Sequence, residues 1–472
     1  NYPYLNLGPL EFRDNGGGAY ENAYRSYFGR LMYNYRNKYF VQANVRYDGS
    51  SRFAPKHRWG IFPSFSAGWT LSEEDFLKET SWIDFLKLRA SYGTLGNERI
   101  GNYPYQALLK FENSSLFYKG NEVVSAQSAA QWQYAIRDIS WEKTESFDVG
   151  LDYVGLNSRL NLTFDYYKKI TNDMLLELQI PQYIGFDNPN QNTGKMHTKG
   201  WDFVVGWKDK IGNFSYGINV NLSDFKSVMG DLGGTEFLGD QIKVQGSQFN
   251  EWYGYLSDGL YQTQEEVNNS AVLNANVKAG DVRYRDISGP EGMPDGKISP
   301  EYDRVLLGGS LPRYMYGGTI NLGFKDLSFS FVFQGVGKQN ARLTTDMAQP
   351  YQQNWGNFPL FLDGQTWSRY NSTVQNNTAR YPRYSNTSAN NNYAMSDFWL
   401  FNGRYFRLKT IGVNYNLPTA FLAKYKIKRL GISGTISDLF TANKYPKGWD
   451  PEMASFAYPI TTSFLLGLSL KF

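Results

Sequence analysis

The chain has 472 residues, of which 17% are aromatic, and 48 basic against 44 acidic side chains leave a net charge of +4. This near balance argues against a nucleic-acid-binding protein, and the absence of cysteine excludes thiol catalysis and disulfides. A mean hydropathy of −0.50 and the lack of any apolar run of about 18 residues exclude transmembrane helices. A membrane β-barrel remains compatible with this composition, because only every second strand residue faces lipid.

Apolar and polar residues alternate along much of the chain, which predicts β-strands. The clearest segments are 41–48, 147–153, 160–166, 214–223 and 327–334. In each, large apolar side chains fall on one face and amides, hydroxyls or carboxylates fall on the other. An apolar face against lipid and a polar face against a wet lumen explain this pattern better than the dry core of a soluble sandwich, which is the alternative.

Short and long connections alternate between these strands. The long, polar connections are near 95–142, 171–197, 224–310, 336–403 and 440–459. Outer-membrane barrels have short periplasmic turns and long external loops, so this alternation predicts the orientation of every strand. The pattern gives about thirteen strands, beginning with Tyr24–Tyr35. Because bacterial single-chain barrels have even strand numbers, we expect this chain to be the C-terminal part of a longer barrel.

Two segments depart from plain alternation. A short helix is expected near Ser72–Phe85, because Ser72 can cap it and three acidic residues follow in its first turn. In the strand near 404–417, Arg407 and Lys409 share parity with the apolar residues that follow them. We expect either a β-bulge there or emergence of the strand above the membrane.

An acidic stretch between 280 and 303 has some character of a calcium loop. Clustered carboxylates and an Asp-Gly turn can wrap a hard cation; the weak metal candidates are Asp286, Asp295 and Asp303. The spacing does not fit a regular calcium loop, because extra residues interrupt it. We therefore expect a hydrogen-bonded loop turn without a metal.

The segment 344–403 combines asparagines with many aromatic residues. Aromatic faces next to amides suit sugar or peptide binding, and packing of the loop against itself is the alternative. The candidate contact residues are Trp355, Trp367, Tyr370, Tyr381, Tyr384 and Tyr393. No catalytic residues are predicted, since His57 and His197 lie in polar, loop-like stretches and no nucleophile, zinc or phosphate-loop motif occurs.

The last strand carries an apolar stripe that ends at the final residue. Its members are Phe464, Leu466, Leu468, Leu470 and Phe472, with small or polar residues between them. This pattern is typical of the closing strand of an outer-membrane barrel, whose apolar face meets lipid. We expect the stripe to close the barrel and to act as the signal for its insertion.

Ordered motifs resemble those of a known family. They are Ser26–Leu31, Asp48–Phe53, Phe62–Trp69, Leu86–Asn97, Trp252–Tyr255, Asp258–Gln262, Ser396–Leu400 and Arg404–Lys409. Together they resemble the SusC-like (SusC/RagA) family of TonB-dependent outer-membrane transporters of Bacteroidetes. The resemblance implies an all-β fold, a transmembrane antiparallel barrel of about 22 strands around a plug. Residues 1–23 would be an extracellular loop segment, and 24–472 the C-terminal portion of the barrel, without the plug and first strands.

The resemblance also implies a function in the bacterial outer membrane. It implies TonB-dependent import of a bulky nutrient, an oligosaccharide or peptide, with a SusD-like surface lipoprotein as lid. The TonB complex would act through the absent N-terminal part, and the aromatic candidates would contact substrate or lid. No cofactor, nucleic-acid partner or enzymatic activity is expected. The alternative is a structural or assembly component of an outer-membrane complex that transports nothing.

Overall fold

The computed structural model describes residues 19–471 except 179, 181, 235, 237, 352–356, 419–420, 423–426 and 454–457. Its dominant element is one antiparallel sheet of 13 strands, each paired with its neighbours along the chain. These are β1 (Tyr24–Tyr35), β2 (Tyr39–Ser50), β3 (Trp59–Thr70), β4 (Ile83–Asn97), β7 (Glu142–Gly155), β8 (Leu160–Asn172), β11 (Met196–Ile211), β12 (Phe214–Met229), β18 (Arg313–Phe324), β19 (Leu327–Lys338), β22 (Tyr405–Asn416), β23 (Arg429–Asn443) and β24 (Ser463–Lys471). The predicted all-β fold and the predicted first strand are confirmed.

The remaining elements lie in the connections. Short strands are β5 (Leu109–Lys119), β6 (Glu122–Gln131), β9 (Leu175–Glu177), β10 (Asn190–Asn192), β13 (Gln241–Ile242), β14 (Glu251–Tyr255), β15 (Ser257–Leu260), β16 (Val282–Tyr284), β17 (Arg304–Gly309), β20 (Asn340–Arg342) and β21 (Leu400–Asn402). Helices are α1 (Gln264–Asn268), α2 (Thr345–Ala348), α3 (Thr373–Thr378) and α4 (Ala389–Asn392), with 3-10 turns at Leu71–Glu73, Gln182–Ile184, Leu360–Leu362 and Asp397–Trp399. Among the described residues, no helix is long and apolar enough to cross a membrane.

The register places each strand's apolar residues in rows on one face. For example, Phe164 of β8 pairs with Phe203 of β11, which in turn pairs with Leu222 of β12. Many large apolar side chains of this face are exposed, among them Phe147 and Ile218. Soluble monomers rarely expose large contiguous apolar patches, and this face fits the lipid-facing wall of a barrel.

The expected helix at Ser72–Phe85 is wrong. The chain forms a single 3-10 turn at Leu71–Glu73, and β4 already begins at Ile83. Ser72 does not cap this turn. The turn is held instead by Glu74, whose carboxylate accepts hydrogen bonds from the side chains of three residues in the adjoining strand ends and turn: Tyr39, Trp69 and Lys38.

The expected β-bulge in the strand near 404–417 is confirmed. The register of β22 shifts between Leu408 and Thr410 against β23, and β19 shifts at the same level between Val332 and Phe333. Lys409 is therefore the extra residue against β19, whereas against β23 the single Lys409 lies opposite two residues, Asp438 and Leu439. The Lys409 ammonium pairs with Asp438 at 2.8 Å. A bulge turns the strand locally, which is why the parity of this segment changes midway.

Candidate functional site

The polar face of the large sheet is the first candidate surface. The strand register places its mid-strand residues on the same side of the sheet. They include Asn44, Ser66, Arg89, Asp148, Asp165, Asp202, Asn219, Thr319, Ser330, Gly412 and Thr435. A cleft of about 610 Å³ on this face is lined by side chains such as Asn44, Ser64 and Ser91. Such a face can bind polar solutes by hydrogen bonds.

The charges of this face concentrate on four neighbouring strands, β4, β7, β8 and β11. The guanidinium of Arg89 bridges two carboxylates, with Nε 2.6 Å from Asp152 and NH2 2.9 Å from Asp165. Asp148 and Asp202 form no ion pair within the described part of the chain. Lys87, which pairs with Asp152, and Lys169, which pairs with Ser146, lie on the same face, so cations and carboxylates nearly balance across this wall.

The strands β12, β18, β19, β22 and β23 carry a different polar wall. At mid-strand it is neutral and made of small or amide side chains, such as Asn219, Thr319, Ser330 and Thr435. A second cleft of about 380 Å³ lies there, lined by residues that include Ser328, Asn414 and Ser433. Hydroxyls and amides without charge suit a passage for neutral polar molecules.

The long connections between strands of the large sheet fold into a layer with its own hydrophobic clusters. The largest cluster centres on the buried Trp399. Tyr381 and Tyr393 both stack on its indole, with ring centroids 5.9 and 5.4 Å away. Burial raises the pKa of the Tyr393 hydroxyl. The packing gives these two predicted contact residues a structural role.

The other predicted contact residues have different surroundings. Trp367 donates a hydrogen bond from Nε1 to Gln262 at 3.2 Å. Tyr370 is 82% exposed, and Tyr384 is 42% exposed with its ring 5.5 Å from that of Tyr351. Trp355 lies outside the described residues. The structure therefore does not bring the predicted set together at one point.

The acidic stretch forms the expected hydrogen-bonded turn. Asp303 accepts backbone hydrogen bonds from Ile287 and Ser299, at 2.8 and 2.7 Å. Asp286 accepts one from the backbone N–H of Gly296 at 2.7 Å, and Asp295 accepts one from the N–H of Lys297 at 3.0 Å. Within the described ranges, no group of three or more His, Cys, Asp or Glu side chains has a metal-binding arrangement.

Arg407 is a structural residue whose partners the sequence did not reveal. Its side chain is fully buried beside the bulge and pairs with Asp450 and Glu452 of the connection between β23 and β24. Its Nε also donates to the hydroxyl of Thr441 at 3.0 Å. The break in parity pointed to this strand, but the two carboxylates lie more than forty residues further along the chain. Arg407 therefore ties that connection to the polar face of β22.

The apolar stripe of the last strand is largely exposed. Phe464, Leu466, Leu468 and Leu470 all lie on one face of β24, and Leu466 is 87% exposed. Phe472 lies outside the described residues. β24 pairs with β23 on one side and forms one edge of the sheet, as β1 does at the other edge.

Known proteins are similar to this chain in sequence and in fold. TonB-dependent receptor P26 of Formosa agariphila is 30% identical over 95% of this chain and 46% of that protein. TonB-dependent receptor SusC of Bacteroides thetaiotaomicron is 28% identical over 98% of this chain and 45% of that protein. The chain thus spans about half the length of the relatives it matches. A structure of the RagAB peptide transporter superimposes with a TM-score of 0.77 and 23% identity, covering 98% of this chain and 50% of that chain.

The family assignment agrees with the two-faced sheet, the alternating connections and these similarities. The family described as TonB dependent receptor-like, beta-barrel, matches residues 2–432. A protein named TonB-dependent receptor SusC is among the relatives. The chain therefore belongs to the TonB-dependent receptor β-barrel family and is a SusC-like protein of the outer membrane.

Proposed function

We propose that this chain forms the barrel part of a TonB-dependent importer that takes up a bulky nutrient, an oligosaccharide or a peptide, with a SusD-like surface lipoprotein. The observation that carries this proposal is the wide polar face, which runs across 13 strands and is neutral at mid-strand on β12, β18, β19, β22 and β23. Barrel diameter grows with strand number, so a barrel of this class encloses a lumen wide enough for large cargo. The printed title of the RagAB structure names a peptide transporter, which supports a peptide as one candidate cargo.

The external layer is suited to act as a platform that contacts cargo and lid. Its two largest connections are joined by backbone hydrogen bonds, from Tyr255 to Met395 at 2.9 Å and from Arg383 to Gly280 at 2.8 Å. This layer presents exposed aromatic rings, including Tyr384. Aromatic faces stack on sugar rings and pack against peptide side chains. We assign substrate or lid contacts to Tyr370 and Tyr384, which are exposed, rather than to the buried members of the predicted set.

We assign plug, energy coupling and barrel closure to the rest of the protein. The relatives are about twice as long as this chain. An unpaired strand edge in hydrocarbon costs several kcal/mol for each unsatisfied backbone group. The edges β1 and β24 therefore pair with strands of that remaining part, and TonB acts through it.

The proposal is tested on the full-length protein isolated from outer membranes in mild detergent. A lipoprotein should co-isolate on the external side, and cells should take up labelled oligosaccharide or peptide only while TonB is functional. A stoichiometric barrel without an external subunit, together with no TonB-dependent uptake, would favour the structural or assembly component instead.

Matched variants test the assigned contacts. Tyr384→Ala should weaken binding of cargo or lid about fivefold, since an aromatic contact contributes about 1 kcal/mol. Tyr183→Ala removes an equally polar ring that is 89% exposed in another external connection, and it should leave binding unchanged. Equal effects of the two variants would remove Tyr384 from the site.

We further propose that the apolar stripe of β24 closes the barrel and guides its insertion. Replacing Leu466 and Leu468 with Asn should lower the amount of protein in the outer membrane, because both side chains face lipid. Ser469→Asn alters the polar face of the same strand and serves as the control. Normal outer-membrane levels of the leucine variant would contradict this role.

A further inference from the structure

Three lysines form one cross-strand row on the outward, apolar face of the sheet. Lys199 of β11 pairs directly with Lys168 of β8 and with Lys226 of β12. All three side chains are exposed. Side chains alternate along a strand, so Lys199 points to the same side as Trp201 and Phe203, away from the lumen.

The row lies immediately outside the aromatic boundary of the apolar band. Below the lysines, Tyr166 pairs with Trp201, and below these Phe164 pairs with Phe203. Tyr and Trp are enriched at the level where the bilayer meets water. β8 runs towards a long connection, so this end of the strands is the external one. The next outward row therefore lies at the level of the lipid headgroups of the outer leaflet.

The described residues do not neutralise these three charges. None of the three lysines forms a salt bridge in the described structure. Of the outward carboxylates nearby, Glu145 accepts a hydrogen bond from the Tyr92 hydroxyl at 3.0 Å. Asp224 is engaged by Arg313 in a bidentate pair. The row thus presents a net positive charge to its surroundings.

Such a row is unfavourable unless an anion occupies it. Directly paired side chains have Cβ atoms roughly 5 Å apart, and like charges at paired positions destabilise a sheet. Lysine stems pack along apolar surface while their ammonium groups extend towards the polar layer. A phosphate group offers three strong acceptor oxygens and a charge near −2, so it can be shared by neighbouring ammonium groups.

We propose that Lys168, Lys199 and Lys226 form a binding site for the phosphorylated headgroup of an outer-leaflet lipid. The acyl chains of that lipid would lie against the apolar rows below, beside Phe164 and Phe203. This site is on the opposite side of the wall from the lumen. The proposal of this site rests on the outer-membrane location of the family, and it does not rest on the proposed transport, cargo or lid.

The test measures binding of fluorescent lipopolysaccharide to the full-length, delipidated protein in detergent. Replacing all three lysines with Gln should weaken binding about 100-fold, roughly fivefold for each cation near a charged lipid surface. Replacement of all three with Arg should preserve binding, because Arg retains the charge and binds phosphate. The matched control replaces Lys278, Lys297 and Lys447 with Gln; these lysines are exposed in external connections and should have little effect.

One further measurement identifies the ligand, and a second checks that the variants are folded. Chemically dephosphorylated lipopolysaccharide should bind the wild type as weakly as it binds the triple Gln variant. Retained heat-modifiable mobility on gels verifies that each variant is a folded barrel.

Several results would overturn the proposal. Unchanged binding by the folded Gln variant, or equal loss in the control variant, would show that the row is not the site. Displacement of the lipid by millimolar inorganic phosphate would assign the row to a soluble anion. Loss of a co-isolated lipoprotein with unchanged lipid binding would assign it to a protein partner.

Discussion

Replacement of Val220 with Arg tests the assignment of the outward face to lipid. Val220 lies midway along the apolar part of β12. It is four residues from Tyr216 at one end and four residues from Asp224, which pairs with Trp201, at the other. Four residues span about 13 Å along a strand, or about 10 Å of depth at a tilt near 40°. Because the apolar band is about 25 Å tall, Val220 lies near its middle.

The expected loss of stability follows from this depth. An arginine facing lipid at the midplane costs roughly 2–4 kcal/mol, which corresponds to a shift of roughly 30- to 700-fold in the folding equilibrium. Asn219→Arg places the same group one residue away on the polar face, and it should cost less than about 1 kcal/mol. The assay is urea unfolding of the full-length protein in bilayer vesicles, followed by heat-modifiable gel mobility. Equal losses for both variants would refute the two-faced assignment.

Two further predictions concern the polar wall and the turn between β3 and β4. A Cβ at Gly150 would lie 2.1 Å from Oδ1 of Asp165 and 2.8 Å from the guanidinium of Arg89. Gly150→Val should therefore lower the free energy of unfolding, measured in urea, by about 1–3 kcal/mol. Gly217→Val is the control and should lower it clearly less, because the nearest atom to a Cβ there is 3.7 Å away. The hydroxyl, indole and ammonium groups bound to Glu74 lower its carboxyl pKa from 4.5 to about 2. Because the pKa of Glu74 is lower in the folded state, this stabilisation is present above about pH 4.5 and is lost as the pH falls through about 2. The difference in urea midpoint between wild type and Glu74→Gln should shrink over the same range. A difference independent of pH would show that the Glu74 carboxylate does not stabilise the fold through these hydrogen bonds.

Most of the large sheet was predictable because its signal is local. Alternation with period two depends on adjacent residues, so the strand that begins at Tyr24 and the bulge near Lys409 both followed from short segments. The helix near Ser72–Phe85 failed because a cap and three acidic residues describe only local preference. The hydrogen bonds to Glu74 come from neighbouring strand ends, and those contacts decide the conformation of the turn.

The layer formed by the long connections and the lysine row were not predictable, because they depend on distant pairings. Composition identified the aromatic segment, but not that Tyr381 would be buried against Trp399 while Tyr384 is exposed. Likewise, the lysines of the row are separated by long connections. Their adjacency appears only once the register of β8, β11 and β12 is known, here from the pairing of Lys168 with Lys199.

The most direct test of the two-faced wall is the accessibility of spin labels in the reconstituted full-length protein. Labels at Val45 and Ile218 should be relaxed by oxygen, which concentrates in the bilayer. Labels at the neighbouring positions Asn44 and Asn219 should be relaxed instead by a water-soluble nickel reagent. Equal accessibility of both pairs to oxygen, or the reverse pattern, would contradict a barrel wall with lipid on its apolar face and water on its polar face.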